Sequence, residues 1–157
     1  MRKASRRMPA EWALEVFDKA PYVTVSLTRP DGTPYGVPLS LVRADACTFY
    51  FHCAYEGEKI DCLRHSPAVS LSAVSRCTPK FEEEKLNYTE HYDSAMAVGR
   101  TEIVTDPEEK IRVLRLLCER FLPKHMMHFE AAIDRSLDRT CVVRVTLTEP
   151  PAGKRKS

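Results

Sequence analysis

The sequence predicts one domain built on a mostly antiparallel β-sheet of six strands, with helices at its margins. Six segments alternate apolar and polar residues with the two-residue period of a half-buried strand. The links between the early strands are of hairpin length. Helices do not alternate with strands and no GxGxxG motif occurs, which disfavours a doubly wound parallel sheet. Six strands can close into a small barrel, which would remove exposed edges.

The first third of the chain predicts a helix followed by three strands. Pro9 suits the first turn of a helix that runs to about Lys19, with apolar residues on one face. The strands are predicted at residues 22–28, 35–43 and 47–53. Pro38 lies inside the second strand, so one edge of that strand cannot be fully paired.

The remainder predicts three helices, three strands and a long surface loop. Gly57 opens a short helix that ends before Pro67, because a residue that precedes proline is disfavoured in the α region. Asp106 and Pro107 form a strong helix start, with a capping side chain followed by proline at the first helical position. The predicted strands are 68–75, 91–104 and 141–147, the loop is 76–90, and the later helices are 106–121 and 124–137.

Length and composition favour a soluble globular protein. The chain has 157 residues, of which 43% are apolar and 29% charged, as expected for a single domain spanning 1–157. No stretch approaches the roughly 20 apolar residues needed to cross a bilayer. The basic N-terminus has no apolar segment after it, unlike a secretory signal. We therefore expect a cytoplasmic protein without membrane contact.

Charge is concentrated at the two ends of the chain. Seven basic residues lie in the short tails 1–7 and 154–157, and without them 17 basic residues face 22 acidic ones, a net charge of −5. A body of that sign is a poor nucleic-acid ligand, because duplex affinity comes largely from phosphate neutralisation. The sequence therefore predicts no nucleic-acid partner and solvated tails.

Two other groups of side chains suggest chemistry only weakly. The six cysteines form no CxxC pair and are interpreted as free thiols. His125 and His128 lack a third ligand at a recognisable spacing, so no metal site is predicted. The acidic run 82–84 is interpreted as a solvated loop.

The segment 50–61 is the most informative part of the sequence. Its strand delivers Gly57 and Lys59 to the start of a helix. A helix N-terminus offers unpaired N–H groups and partial positive charge, and a nearby ammonium adds a full charge, which together suit a phosphate monoester. A turn glycine followed by a solvated lysine is the alternative interpretation of the same residues. On the strand, His52 is either a proton donor beside a pocket or a hydrogen-bonded structural histidine.

Further motifs, taken in order, resemble one family over nearly the whole chain. They are Arg6-Arg7-Met8, Asp31-Gly32, the segments 34–40 and 50–54 with Gly57 and Lys59, the segment 92–94, Gly99-Arg100, the segment 106–110, Pro123 and Gly153-Lys154. Together they resemble the flavin-binding split-barrel family. The branch they resemble most is related to pyridoxamine 5′-phosphate oxidase and includes the nitroimidazole-resistance proteins.

The resemblance implies a six-stranded Greek-key split barrel that forms a homodimer with FMN at the interface. By position, Lys59 would contact the FMN phosphate beside Gly57. The isoalloxazine ring would be bordered by Val37, Pro38, Leu39, Ser40, Phe51 and His52. Ser94 would be a ribityl or phosphate contact, and Gly153-Lys154 gives the basic tail a possible role.

The activity that the resemblance implies is an FMN-dependent oxidoreductase. It would pass electrons from NAD(P)H to a small aromatic or nitro compound, with His52 as the catalytic side chain. Two alternatives use the same shell of residues: a flavin-binding carrier or sensor without efficient turnover, and a haem-binding split barrel.

Overall fold

The computed structural model describes residues 3–157 as a mainly β-structure with flanking helices. The strands are β1 Arg7–Met8, β2 Val23–Thr28, β3 Pro34–Leu39, β4 Val42–Arg43, β5 Thr48–Cys53, β6 Ala68–Glu82, β7 Asn87–Ile103, β8 Cys141–Leu147 and β9 Ala152–Lys156. The α-helices are α1 Ala10–Lys19, α2 Glu58–His65, α3 Pro107–Phe121 and α4 Phe129–Ser136. Arg2, one of the predicted basic tail residues, lies outside the described residues.

The strands within residues 3–157 form a single antiparallel sheet. The main order is β3-β2-β6-β7-β8-β5-β4, and β9 pairs with both β7 and β1. The sheet has nine strands, three more than the sequence predicted. Two of the additional strands, β1 and β4, have only two residues each, too few to show an alternating pattern. The predicted strand 35–43 is divided in two because the chain leaves the ladder after Leu39.

The predicted loop 76–90 is wrong. β6 continues to Glu82 and β7 begins at Asn87, so most of this segment forms a two-stranded ribbon paired from Arg76 with Asp93 to Glu82 with Asn87. A register shift between Val74 and Arg76 marks where the ribbon leaves the part of the sheet that packs on the core. Most ribbon side chains are exposed on both faces, so the sequence lacks the alternation by which strands are recognised.

Two further predictions at the end of the chain need correction. The predicted helix 124–137 is a 3₁₀ segment at Pro123–His128, the helix α4, and a further 3₁₀ turn at Leu137–Arg139. The basic tail 154–157, predicted to be solvated, belongs almost entirely to β9. The backbone N–H and C=O groups of β9 pair with those of β1 and β7. The positive charge of its side chains therefore did not prevent strand formation.

The core has two parts, on the two sides of the sheet. The larger part packs α1 and α2 against the inner residues of β2, β5, β6 and β8, with Phe17 and Phe49 in edge-to-face contact at 5.2 Å. The smaller part packs α3 and α4 against Tyr50 and Val142 on the opposite side of β5 and β8. Side chains of β5 therefore alternate between the two parts, as its sequence pattern predicted. None of the helices within residues 3–157 is long and apolar enough to cross a membrane.

Candidate functional site

The corner between β5 and α2 has the geometry of an anion-binding turn. Gly57 has φ +104°, a conformation that favours glycine, and it immediately precedes α2. No side chain caps this helix, so its first N–H groups point outward without a side-chain acceptor. Glu58 would repel an anion at this position, but its carboxylate accepts from Arg29 Nε at 2.5 Å.

Lys59 and His52 lie close together at this corner. Lys59 is the second residue of α2 and forms no ion pair with any residue from 3 to 157. Packing around the His52 ring lowers the pKa of His52 below its usual 6.5, and the positive charge of Lys59 lowers it further. His52 nonetheless keeps an exposed surface on the chain. The structure therefore brings an ammonium without an ion pair in residues 3–157 close to an accessible imidazole.

β3 presents a free strand edge near this corner, since it is the first strand in the sheet order. The Arg29 N–H donates to the Thr33 carbonyl at 2.8 Å. This bond shows which opposed residues of β2 and β3 are hydrogen-bonded pairs and which are not. Because bonded and non-bonded pairs alternate along an antiparallel ladder, Gly36 and Pro38 turn their backbone groups to the free edge. Pro38 has no N–H, so at its position the edge offers only a carbonyl.

The other predicted β3 residues divide between the two faces of the strand. Val37 and Leu39 are half-buried against the core, whereas Pro38 and Ser40 are exposed. A planar ligand at the free edge would therefore meet backbone atoms and the outward side chains. It would not meet the side chains of Val37 and Leu39 directly.

Phe51 and Ser94 are placed differently from the rest of the predicted site. The Phe51 side chain is fully buried in the core, so within the protomer only its backbone can border a ligand. Ser94 lies opposite Val74 on β7, six residues from the end of the ladder at Ala68 and Arg100. At 3.3 Å per residue this places Ser94 about 20 Å along the strand from the α2 end. Its hydroxyl donates to the Lys154 carbonyl at 3.5 Å.

A buried lysine that sequence reasoning missed supports the turn before Gly57. Lys110 is only 7% exposed, and its ammonium donates to the Tyr55 hydroxyl at 3.1 Å and the Leu137 carbonyl at 2.8 Å. It holds Tyr55, two residues before Gly57, against α3. The signal in the sequence is a lysine within the apolar stripe of α3, three residues before Val113.

The far side of β5 is fixed by a network of polar side chains. Glu109 accepts from the Tyr50 hydroxyl at 2.7 Å and from the Arg144 guanidinium, whose Nη2 lies 2.7 and 2.9 Å from the two carboxylate oxygens and whose Nε lies 3.1 Å from one of them. The Arg144 contact is the main cause that lowers the pKa of Glu109, with Tyr50 contributing. This network ties β5 and β8 to the first turns of α3, so the strand that carries His52 is held rigidly from behind.

The histidine, cysteine and acidic side chains in the described part of the chain are not grouped as metal ligands. Within residues 3–157, no group of three or more His, Cys, Asp and Glu side chains is arranged to hold a metal ion. His125 and His128 are exposed on the 3₁₀ segment. All six cysteines are free thiols.

Comparisons with known proteins place the chain among similar sequences and folds. Residues 9–153 match the family described as pyridoxamine 5′-phosphate oxidase. No protein with a curated description matches the sequence significantly. One similar structure is a protein assigned to 5-nitroimidazole antibiotic resistance from Bacteroides thetaiotaomicron. It is 22% identical, with a TM-score of 0.76 over 92% of this chain and 82% of that one.

Two further similar structures come from proteins that are named for their cofactors. The FAD and heme binding protein from Mycobacterium smegmatis is 19% identical, with a TM-score of 0.82 over 97% of this chain and 74% of that one. A flavocytochrome from Azotobacter vinelandii is 19% identical, with a TM-score of 0.79 over 94% and 67% of the two chains. At these identities the likeness establishes a shared fold.

Proposed function

The chain belongs to the pyridoxamine 5′-phosphate oxidase family, and we propose that it is an FMN-dependent oxidoreductase. It would take electrons from NAD(P)H and pass them to a small aromatic or nitro compound. The observation that supports this most strongly is the corner at Gly57 and Lys59. There, a helix start without a side-chain cap lies beside an ammonium that forms no ion pair within residues 3–157. The chain belongs to a family named for the oxidation of a phosphate ester.

The FMN phosphate would be held by Lys59 and the first N–H groups of α2. Charge-assisted hydrogen bonds of this kind are the strong ones, and a helix start supplies further donors. The Arg29–Glu58 pair neutralises one of the carboxylates at this helix start, where Glu56 and Asp61 are the others. Lys110 and Tyr55 hold the loop that precedes Gly57, so the donors would be pre-positioned.

The isoalloxazine ring would lie along the free edge of β3, beside Pro38 and Ser40. Backbone carbonyl and N–H groups at that edge match the carbonyl and N–H edge of the flavin ring. The bound flavin would supply hydride acceptance and electron transfer, which no side chain of the protein can perform. The chain's own residues would bind the cofactor, orient it and limit access of water to it.

His52 would hydrogen-bond to the bound acceptor rather than serve as a resting proton donor. Because its pKa is lowered, its imidazole is neutral at pH 7 and protonates only in more acidic solution. A neutral imidazole can accept one hydrogen bond and donate another, which suits it to orienting a small polar acceptor.

A two-fold homodimer would bury a patch of the outward sheet face that carries no charged side chain, with Arg100 beyond Val98 and Lys154 opposite Ser94 at its margins. This uncharged face is formed by outward residues of β3, β2, β6 and β7: Gly36, Pro38, Thr24, Ser26, Ser70, Ser72, Val74, Met96 and Val98. Met96 is 55% exposed and Val74 47% exposed. Exposed apolar side chains without charged neighbours are typical of a surface that is covered by a partner. Ser94 lies two residues before Met96 on the same face, so it would approach the flavin of the partner.

An absorption spectrum of the purified protein tests the cofactor assignment. The proposal predicts a yellow protein with flavin bands that bleach anaerobically with NADH or NADPH. Reoxidation by a nitroaromatic compound would then establish turnover. A flavin that binds but is not bleached by either nucleotide would indicate the carrier or sensor alternative instead.

A haem-binding function is the second candidate, because two of the similar structures are a heme binding protein and a flavocytochrome. The same spectrum distinguishes it. Haem would give a Soret band in protein reconstituted with hemin, whereas FMN would give flavin bands.

A further inference from the structure

Two cysteines face each other across neighbouring strands. Cys53 is the last residue of β5 and Cys141 is the first residue of β8, and the two are directly opposed in the antiparallel register. Within residues 3–157, no other two cysteines are opposed in this way. Opposed residues on an antiparallel ladder point their side chains to the same face of the sheet. Both thiols therefore lie on the side of the larger part of the core.

The backbone spacing at this pair suits a disulfide. The Leu147 N–H donates to the Cys47 carbonyl at 2.8 Å, so Cys47 and Leu147 are a hydrogen-bonded pair of the β5–β8 ladder. Hydrogen-bonded and non-bonded pairs alternate, and Cys53 lies an even number of positions further along, so Cys53 and Cys141 are also a hydrogen-bonded pair. The α-carbons of such a pair are about 5.5 Å apart. A disulfide forms without backbone movement when that distance is about 4.4–6.8 Å.

The two thiols are in contact but differ in exposure. The Cys53 thiol donates a hydrogen bond to the Cys141 sulfur. Cys141 is fully buried, whereas Cys53 keeps part of its surface exposed. A reagent in solution can therefore reach Cys53 first, and Cys141 is placed to react with the product. This arrangement is that of an attacking thiol beside a resolving thiol.

The surroundings of the pair set how readily it reacts. Burial is the largest cause that raises the pKa of both thiols, so thiolates are scarce at neutral pH. Positive charges on two helices act in the opposite direction. Lys59 of α2 lowers the pKa of Cys53, while Lys110 of α3 and Arg64 of α2 lower that of Cys141. Electropositive and partly exposed surroundings are those in which cysteines react, here at a rate that burial keeps low at neutral pH.

We propose that Cys53 and Cys141 are a modification site, at which a small disulfide such as glutathione disulfide converts the two thiols into a reversible disulfide. The Cys53 thiolate attacks one sulfur of the oxidant, forms a mixed disulfide and releases one thiolate. The Cys141 sulfur then attacks Cys53 Sγ and releases the second thiol. The protein loses two electrons and two protons, and the disulfide of the oxidant is reduced to two thiols.

The crosslink would join the end of β5 to the start of β8, just before the loop that leads to Gly57. It would fix the point at which the chain leaves β5 on its way to Lys59. The reaction does not depend on a bound flavin, because the two thiols and the neighbouring cations all belong to the protein. It can therefore be tested separately from the proposed function.

Oxidation of flavin-free, full-length protein by glutathione disulfide tests the proposal. Cys47 and Cys77 are exposed and can cross-link two copies, so the protein used is Cys47→Ser/Cys77→Ser. The remaining free thiols are alkylated in denaturant, and peptide mapping identifies the linked residues. We expect a Cys53–Cys141 crosslink and an intact mass about 2 Da below that of the reduced protein. Dithiothreitol should restore both thiols.

Single substitutions in the same background test the order of the two steps. Cys141→Ser should stop at a mixed disulfide between Cys53 and glutathione, and Cys53→Ser should leave the buried Cys141 reduced. Cys118→Ser is the matched control, since it removes a partly buried cysteine of α3 outside the pair and should not change the crosslink. Far-ultraviolet circular dichroism checks that each variant is folded. The peptide map of the background protein does not depend on that result.

The pH dependence tests the chemistry of attack. Only the thiolate attacks a disulfide, and burial raises the pKa of both thiols. The rate of crosslinking should therefore rise from about pH 7 to about pH 9. A rate that does not change over this interval would contradict attack by a cysteine thiolate.

Two results would overturn the proposal. One is full alkylation of both Cys53 and Cys141 after long exposure to excess glutathione disulfide at alkaline pH. The other is a lasting mixed disulfide at Cys53, or a crosslink from Cys53 to Cys62, in protein that retains Cys141. Failure of FMN to bind would refute the proposed function but leave this test unchanged, because the protein used is free of flavin.

Discussion

Lys59 is the residue on which the flavin proposal depends most directly. Its ammonium has no ion pair among the described residues, so replacement costs the fold little and a phosphate ligand much. We predict that Lys59→Met weakens FMN binding roughly tenfold to 150-fold, the range for a charged hydrogen bond. Fluorescence quenching of FMN measures the affinity.

Lys124→Met is the matched control for Lys59→Met, because it removes one exposed lysine far from α2 in the sequence. It should bind FMN like the wild-type protein. Equal affinity for FMN in Lys59→Met and Lys124→Met would show that Lys59 does not hold the phosphate.

His52 makes a second prediction at the scale of a residue. Burial, and then Lys59, lower its pKa below 6.5, so imidazole NMR titration should give a value below that of a free histidine. Lys59→Met should raise the pKa only partly, because burial is the larger cause. Binding of FMN beside Lys59 should raise it as well, since a phosphate dianion offsets the ammonium.

The lowered pKa of His52 also determines how the stability of the fold changes with pH. The unfolded chain has a His52 pKa near 6.5 and the folded chain a lower one, so protons bind preferentially to the unfolded state. Stability is therefore fully present above about pH 6.5 and is lost as the pH falls towards the folded pKa. His52→Gln should lose less stability over that window. A His52 pKa above 6.5 by NMR would contradict the account.

At the scale of elements, Arg120 joins three parts of the chain. Its guanidinium donates to the carbonyls of Phe17, Asp18 and Ala20 at the end of α1, and to the Leu41 carbonyl between β3 and β4. It therefore ends α1 and fixes the point at which the chain leaves β3. We predict that Arg120→Leu lowers the free energy of unfolding by about 3 kcal/mol, because buried carbonyls lose a charged donor.

Arg112→Leu is the control for Arg120→Leu on the same helix. Its side chain is 54% exposed and lies 3.9 Å from Glu109, so its loss should cost about 0.5 kcal/mol. Urea denaturation followed by circular dichroism measures both variants. Equal destabilisation of the two would mean that the carbonyl contacts of Arg120 do not hold the fold.

The sequence predicted elements well where one face is buried. β2 and β5 alternate because one or both of their faces pack on apolar residues, and Asp106 caps α3 by accepting from the Glu109 N–H at 3.1 Å. The ribbon from Arg76 to Glu82 was not predicted, because backbone pairing stabilises it and neither of its faces is buried. β9 escaped for the same reason: its strand character comes from β1 and β7, which are remote in sequence.

The candidate site was predictable only where its residues are local in sequence. His52, Gly57 and Lys59 lie within eight residues, so one strand and one turn bring them together. The supporting pair Tyr55 and Lys110 comes from segments 55 positions apart, and only the tertiary fold places them in contact. The only local signal of such a contact is a charged residue, Lys110, within the apolar stripe of α3.

At the scale of the whole molecule, the uncharged face predicts the assembly. We expect the protein to be a dimer, and Val98→Glu, which places a charge on that face, should shift it towards monomer. Buried like charges across a two-fold axis repel each other and lose their solvation. Sedimentation velocity at several concentrations measures the effect.

Met127→Glu is the control for Val98→Glu, since Met127 is 77% exposed and lies on the 3₁₀ segment, outside that face. It should leave the oligomeric state unchanged. Dimers that persist in Val98→Glu, or a wild-type protein that is monomeric while it retains FMN, would rule out this face as the interface that completes the flavin site.

The central claim is that Gly57 and Lys59 hold the phosphate of FMN. Its most direct test is a titration of flavin-free protein with FMN, with riboflavin as the comparison ligand. Riboflavin has the same ring without the phosphate. The account predicts saturable quenching at one FMN per chain, with riboflavin bound at least about tenfold more weakly because it lacks the group held at Gly57 and Lys59. Protein that binds neither ligand, or binds both equally well, would contradict it.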